Sequence, residues 1–345
     1  MTTMTTRADG PTTRAWLKRL ANLNLAALAA LGIFVAMLVY GEVAYGRILQ
    51  YSTISSLFIN NAQLILIAVG LTMVIITGGI DLSVGAVVAL SGVSGVMLAN
   101  AGWHPVVVVV VMIGIGTAVG LASGSLIEFF GVQPFIATLS MMFLARGLAS
   151  MLSTQPQSLP DDSPLRAINS SITILVGPPV NGRIPNDLKV TSGVIIALLV
   201  VLAAHLFLTR TRTGRTIYAI GGSEPSALLM GLPVRRTKLM VYAISGTLAG
   251  LAAVVYTARL GSAQNITGIG WELDAIASAV IGGTLLTGGA GAVLGTLVGA
   301  LVLGMITVLI TRDGSIPPAA TAIITGGILL VFVLLQRAVT ARRTN

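Results

Sequence analysis

Apolar runs long enough to cross the roughly 30 Å of a bilayer's hydrocarbon core as a helix recur along the whole sequence. They fall near residues 23–41, 56–77, 82–99, 105–127, 134–152, 191–209, 237–258, 273–288, 292–311 and 318–336. The pattern predicts an all-α polytopic membrane protein of about ten transmembrane helices. A polar leader (1–22) and a short polar tail (337–345) flank a membrane domain over 23–336. No small-residue cleavage site follows the first run, so that run reads as a retained helix and not a signal peptide. Two polar stretches interrupt the pattern. Residues 153–190 are rich in Pro, Ser, Asn and Asp, and residues 210–236 are strongly basic.

Composition supports the same reading. Only 9% of the 345 residues are charged and 55% are hydrophobic, whereas soluble domains carry roughly 25% charged residues. The 40 glycines suit close helix–helix approach in lipid. With no cysteine, disulfides, thiolate nucleophiles and Cys-based metal sites are excluded. Most of the 20 basic residues lie at the ends of runs, where they set orientation. Arg7, Arg14, Lys18, Arg19, Arg337, Arg342 and Arg343 at the termini join Arg210, Arg212, Arg215, Arg235, Arg236 and Lys238 in placing both termini and the 210–236 loop in the cytoplasm. The 153–190 loop is then external.

Asp81, in "ITGGIDLSVG", stands inside an apolar stretch, where a carboxylate at the bilayer centre costs about 2.5–3.5 kcal/mol. Gly78 and Gly79 directly before it permit a helix break. The Asp81 carboxylate could then accept the N–H groups of Ser83 and Val84 and start the next helix. The alternative is a direct ligand of a transported solute. A second "TGG" at 287–289 aligns Gly85 with Gly295, but in so glycine-rich a chain this carries no argument. Mid-span polar groups are the candidates to line a solute path: Asn61 and Thr72, eleven residues apart and so on one helix face, with Ser91, Ser94, Thr138 and Asp274. Phe135 and Trp271 could stack on the solute or anchor at the interface.

In the basic loop, "GGSEPSALLMGLP" brackets one short helix, about Glu224 to Met230. Ser223 is an N-cap, Glu224 and Pro225 suit the first turn, and Gly231 with Pro233 ends it. Leu228, Leu229 and Met230 are left outside the membrane, either on lipid headgroups or as a knob for a cytoplasmic partner. No G-x-x-x-x-G-K-[ST] phosphate loop exists in the chain.

Four stretches together, "VGLTMVIITGGIDLSVGAVVALSG", "VQPFIATLSMMFLARG", "AIGGSEPSALLMG" and "GWELDAIASAVIGGTLLTGG", resemble the permease subunits of sugar-importing ABC transporters. The likeness covers about residues 55–340 and is nearest to the ribose and galactofuranose group, in particular one of the two permeases of the galactofuranose importer. Gln133 stands where the family usually has a basic residue before Pro-Phe. The resemblance implies that Glu224, Pro225, Ser226, Ala227, Leu228, Leu229, Met230 and Gly231 form the coupling helix. It also implies a cytoplasmic double-domain ATPase that binds ATP and Mg, an external sugar-binding protein and a second, homologous permease. No cofactor or metal is expected on this chain, and galactofuranose is the expected sugar by resemblance alone. Two other classes fit less well. "GVSG" around Ser94 could suggest an intramembrane serine protease, but His104 and His205 lie near span ends. A gradient-driven secondary transporter or channel for a small polar solute would carry charged relays in mid-span, which this sequence lacks.

Overall fold

The protein is described from a computed structural model over residues 25–180 and 184–315, with 317, 320, 323–331 and 334 beyond. The basic leader and tail therefore lie outside the described residues, as does much of the last run.

The long helices are α1 (Leu25–Tyr45), α2 (Tyr51–Ile76), α3 (Val84–Asn100), α4 (Pro105–Phe130) and α5 (Pro134–Leu152). After a short α6 (Pro164–Ala167) come α7 (Ser192–Arg210), α8 (Arg212–Gly222), α9 (Glu224–Leu229), α10 (Val234–Leu260), α11 (Trp271–Ile281) and α12 (Val293–Asp313). Prolines at the first turns of α4 and α5 start these helices where an N–H has no intrahelical partner anyway. Gly131, Gly261 and Gly314, at φ of 67°, 66° and 69°, end α4, α10 and α12 in the left-handed conformation.

Two expectations change. Among the described residues, seven helices (α1, α2, α4, α5, α7, α10 and α12) are long and apolar enough to cross a membrane, against the ten runs read from hydropathy. α3, at 17 residues, is shorter. The run at 273–288 is no continuous span: α11 stops at Ile281, about 16 Å long at 1.5 Å per residue. The chain then turns through Gly283, Gly288 and Gly289, with φ of 93°, 84° and 75°. Glycine scores as neutral in a hydropathy window, so helix ends within an apolar run are invisible there. The last run is helical over 323–331.

The protein is also not purely α-helical. The stretch read as an external loop carries an antiparallel hairpin of β2 (Ser171–Val180) and β3 (Ile184–Thr191), in which Ser171 faces Thr191 and Val176 faces Asp187. A second small ladder pairs β1 (Gln157–Ser158) with β4 (Ser262–Ala263). Thr, Val and Ile at alternate places favour the strands, whose pattern is too brief to stand out among longer apolar runs.

α2 is the central helix. From Ile65 to Ile76 every residue is buried, as expected where helices surround a helix on all sides. α4 and α10 meet along a glycine seam. A Cβ on Gly116 would lie 2.2 Å from the Gly246 carbonyl oxygen, and one on Gly246 would lie 2.1 Å from that of Gly116. Gly120 and Gly250 continue the seam, and the Thr117 and Thr247 hydroxyls bond across it at 2.8 Å. Small residues replace hydrophobic collapse as the cohesive device in lipid.

The connections gather at two ends. At one, the β2–β3 hairpin grips the start of α2: Ser52 N donates to Asn186 Oδ1 (3.2 Å) and Lys189 N to Ser55 Oγ (2.8 Å). At the other lie residues 77–83, the α8–α9 segment and the 282–292 turn.

Candidate functional site

At this second end, Thr77 closes α2, and Gly78 turns the chain with φ of 81°. Residues 77–83 are non-helical before α3 begins. Asp81 is fully buried. Its Oδ1 accepts from Ser83 N (3.0 Å) and Ser83 Oγ (2.6 Å), and its Oδ2 accepts from Ser245 Oγ on α10 (2.8 Å). Val84 N is not among its partners, contrary to the reading of a two-donor cap. Ser83 already has helical φ and ψ, so Asp81 stands one residue too early to reach the next amide. The same peptide is held again from α10 and from one further helix, because Tyr242 Oη on α10 and Thr138 Oγ1 on α5 both donate to Ile80 O (3.4 and 3.3 Å). Gly79 makes this possible, since a Cβ there would sit 2.4 Å from Tyr242 Oη.

The 287–289 turn packs directly onto this break. Gly289 N donates to Ile76 O at 2.9 Å. Gly221, near the end of α8, lies between the two: its Cβ would fall 1.8 Å from Ile76 O and 2.3 Å from Gly289 N. Tyr218 Oη, one turn earlier, donates to Gly291 O at 2.9 Å, and burial raises its pKa so that it keeps the donated proton.

α9 follows at once. Ser223 Oγ accepts from Ser226 N (3.4 Å), Pro225 stands in the first turn and Gly231 turns the chain at φ 73°. Ala227 is buried against Ile220 and Val234, while Leu228, Leu229 and Met230 are 55%, 90% and 66% exposed. The base of α9 is tied to the bundle by Lys238 on α10. Its Nζ donates to both Glu224 oxygens (2.7 Å each) and lies 3.2 Å from Glu128 Oε1 on α4.

Toward the hairpin end, a polar groove runs between α2 and α12. Ser52, Ser56 and Asn60, spaced by four on α2, face Thr307, Thr311 and Arg312 around a cavity of about 270 Å³. A second cavity of about 170 Å³ shares Asn60 and Thr307 and is also lined by Asn61, Gln63, Trp271, Asp274 and Thr325. Its polar groups are oriented by fixed partners. Arg259 Nη1 donates to Asn60 Oδ1 (2.5 Å), Asn61 Nδ2 to Leu57 O (2.7 Å) and Gln63 Nε2 to Asn60 O (2.6 Å). Trp271 is held edge-on to Tyr256 with ring centroids 4.9 Å apart, and the Arg259 guanidinium lies 5.7 Å from the Tyr256 centroid.

Of the polar and aromatic candidates, the structure brings Asn61, Trp271 and Asp274 together in this groove. Thr72 does share Asn61's face, toward α12, but is fully buried there, its hydroxyl 2.7 Å from that of Thr296. Ser91 is buried in α3, without a hydrogen-bond partner among the described residues. Ser94 is half-buried on the same helix, Phe135 is exposed at the start of α5, and Thr138 belongs to the Ile80 contact. Asn60, Gln63, Ser56, Thr307 and Arg259 were missed. The four-residue spacing of Ser52, Ser56 and Asn60, matched by Thr307 and Thr311, is the signal that could have found Ser56, Asn60 and Thr307; Gln63 and Arg259 lie off it.

A bundle of apolar helices with two glycine-rich breaks, a β-hairpin at one end and a short helix with exposed apolar side chains at the other has the build of a transport permease. Residues 53–334 match the family of branched-chain amino acid transport system permease components. The chain is 53% identical over 314 residues to the fructose import permease protein FruG of Bifidobacterium longum (strain NCC 2705), covering 91% of each. It is 38% identical over 323 residues to the inner membrane ABC transporter permease protein YjfF of Escherichia coli (strain K12), covering 93% of this chain and 95% of that one. The ribose import permease protein RbsC of the same strain is 38% identical over 309 residues, covering 89% and 90%. No solved structure matches. The chain belongs to this family as a permease subunit of an ABC sugar importer, a multi-pass protein of the inner membrane. It is not an enzyme: the ATPase is a separate subunit, and a substrate-binding protein is the other implied partner.

Proposed function

We propose that the α2–α12 groove is this chain's half of a sugar path and that α9 is the element it presents to the ATPase. Carrying this reading is the pairing of two mismatches: three large apolar side chains exposed on a helix outside the spans, and an open row of polar side chains on helices within them. The basic residues around α8 to α10 put the α9 end in the cytoplasm and the hairpin end outside. In this role Asp81 and Ser83, with Gly78 and Gly79, hold a structural break and do not touch sugar, because both carboxylate oxygens already have partners.

The substrate proposed is a monosaccharide of the fructose or ribose kind. The fructose import permease, at 53% identity, supports that choice over the galactofuranose expected from motif resemblance. A groove open along one side needs a second wall, which a homologous, non-identical permease would supply above one double-domain ATPase that binds ATP and Mg. Proteoliposomes containing the assembled complex test this. Sugar uptake should require ATP and the external binding protein, and should persist when the proton gradient is collapsed with ATP maintained. Gradient-driven uptake by this chain alone would overturn the reading. Native mass of the purified complex separates one permease beside a different one from two identical copies.

A further inference from the structure

The groove holds an acceptor that the sequence did not single out. Gln63 is 6% exposed, and its Oε1 has no hydrogen-bond partner among the described residues. Its orientation is fixed: only the amide nitrogen can donate, and one Nε2 hydrogen goes to Asn60 O at 2.6 Å. The same logic fixes its neighbours. Asn61 gives one Nδ2 hydrogen to Leu57 O, which fixes Oδ1 as its acceptor, while Asn60 has its Oδ1 occupied by Arg259. Asp274 lines the same 170 Å³ cavity as Gln63 and Asn61. A buried acceptor without a donor is unfavourable, and Gln63 Oε1 is such an acceptor in a side chain that borders open space.

We propose that Gln63 is a specificity-determining residue of the permease itself, accepting a hydroxyl hydrogen bond from a sugar in transit through this cavity. The inference rests on the groove being the sugar path. The donor inventory selects the ligand class. An anion such as phosphate or carboxylate would meet Asp274 in the same lining. An ammonium brings donors alone and leaves the spare amide N–H groups of Gln63 and Asn61 without an acceptor, whereas hydroxyls both donate and accept. A neutral polyol supplies several O–H donors at once, and Trp271 offers an apolar edge beside them. Contacts this few suit weak, passing binding, since a site that held sugar tightly would slow its release.

The test uses the assembled permease and ATPase without the binding protein, so that recognition by that protein cannot contribute. Saturation-transfer NMR with D-fructose should detect binding to the parent complex. Gln63→Leu, of similar volume but without the acceptor, should reduce the transfer by about tenfold, the scale of one lost hydroxyl contact. Gln63→Glu, which keeps an oxygen at the same place, should retain it. Unchanged transfer in Gln63→Leu overturns the proposal. The chain has no cysteine, so Ser56→Cys gives a clean independent probe of the groove with a water-soluble thiol reagent. Labelling of Ser56→Cys together with unchanged NMR in Gln63→Leu overturns only the role of Gln63. No labelling of Ser56→Cys in the membrane overturns the groove reading and this inference with it. Loss of both binding and assembly in Gln63→Leu, with Gln63→Glu assembled but silent, also counts against the proposal.

Discussion

Leu229, 90% exposed, stands on a helix outside the spans, whereas Gln63, 6% exposed, sits with an unused acceptor inside one. The α9 end and the groove are therefore opposite constructions. At the α9 end the polar groups are satisfied: Asp81 has three donors, and Glu224 and Glu128 share Lys238. What remains exposed on α9 and just after it is mainly apolar, amid the exposed arginines of the flanking helices. In the groove, apolar packing is complete on the far side of α2, and what remains exposed is polar. Each leftover surface is mismatched to its surroundings, and each mismatch implies a partner: a protein groove for the leucines, and water or sugar for the amides.

The largest effect should come from reversing the first mismatch. Leu229→Asp puts a charge where an apolar knob should dock, so uptake and stimulation of the ATPase should be lost while membrane insertion is unaffected. Normal uptake would break the docking half of the comparison. A second change attacks the joint behind α9. Gly221→Val places a side chain on Ile76 O and Gly289 N, positions only 1.8 and 2.3 Å from a Cβ. Neither contact is a flexible side-chain tip, so the two breaks must separate. Uptake should fall sharply even though the ATPase still co-purifies, because α9 itself is untouched. Retained uptake would show that the close packing of Gly221 against the breaks has no part in coupling.

Asp81 should give an intermediate effect. Asp81→Ala strands the Ser245 hydroxyl and frees Ser83 N, a loss of about 1–3 kcal/mol. Asp81→Asn keeps one oxygen for Ser83 and turns its amide N–H₂ toward Ser245 Oγ, so much of the stability and transport should survive. Thermal unfolding of the detergent-solubilised complex measures both variants. A fully stable but inactive Asp81→Asn would show that the charge matters to transport and not only to the break.

The two regions were not equally legible. The α9 helix is punctuated locally, by Ser223, Pro225 and Gly231 within nine residues, and its bounds could be read from the chain alone. The break at Gly78 is likewise local. Its third tie, Ser245 on α10, is 164 residues away and has no local signature. The groove is only partly legible: each wall has a local four-residue polar spacing, but their pairing has no such signature. It exists because α2 and α12 are neighbours, and nothing in either segment says so. Asn61, Trp271 and Asp274 could be chosen as polar or aromatic groups at membrane depth, but so could Thr72 and Ser91, which are buried. The spans erred for a related reason: hydropathy averages over a window, while the end of α11 is set by backbone conformation at Gly283.

The smallest predicted effect separates the two fates of one helix face. Asn61 and Thr72 both point at α12, three turns apart. Asn61 meets Gly304, where a Cβ would fall 2.1 Å from its Nδ2, and its remaining oxygen lies in the cavity. Thr72 meets Thr296 with no opening, and its hydroxyl also bonds Ala68 O at 2.6 Å. Thr72→Val removes one hydroxyl of nearly the same volume and leaves Thr296 Oγ1 bonded to Ala292 O at 3.4 Å. The cost should be about 0.5–1.5 kcal/mol of stability, with sugar uptake unchanged once expression is matched. Asn61→Leu, by contrast, should lower uptake with little loss of stability, because it removes a cavity acceptor and its amide's only other bond is to its own helix. Equal transport defects in Thr72→Val and Asn61→Leu would mean that the α2–α12 contact moves as one surface during transport, and that the division between packed and open halves of this helix face does not survive the cycle.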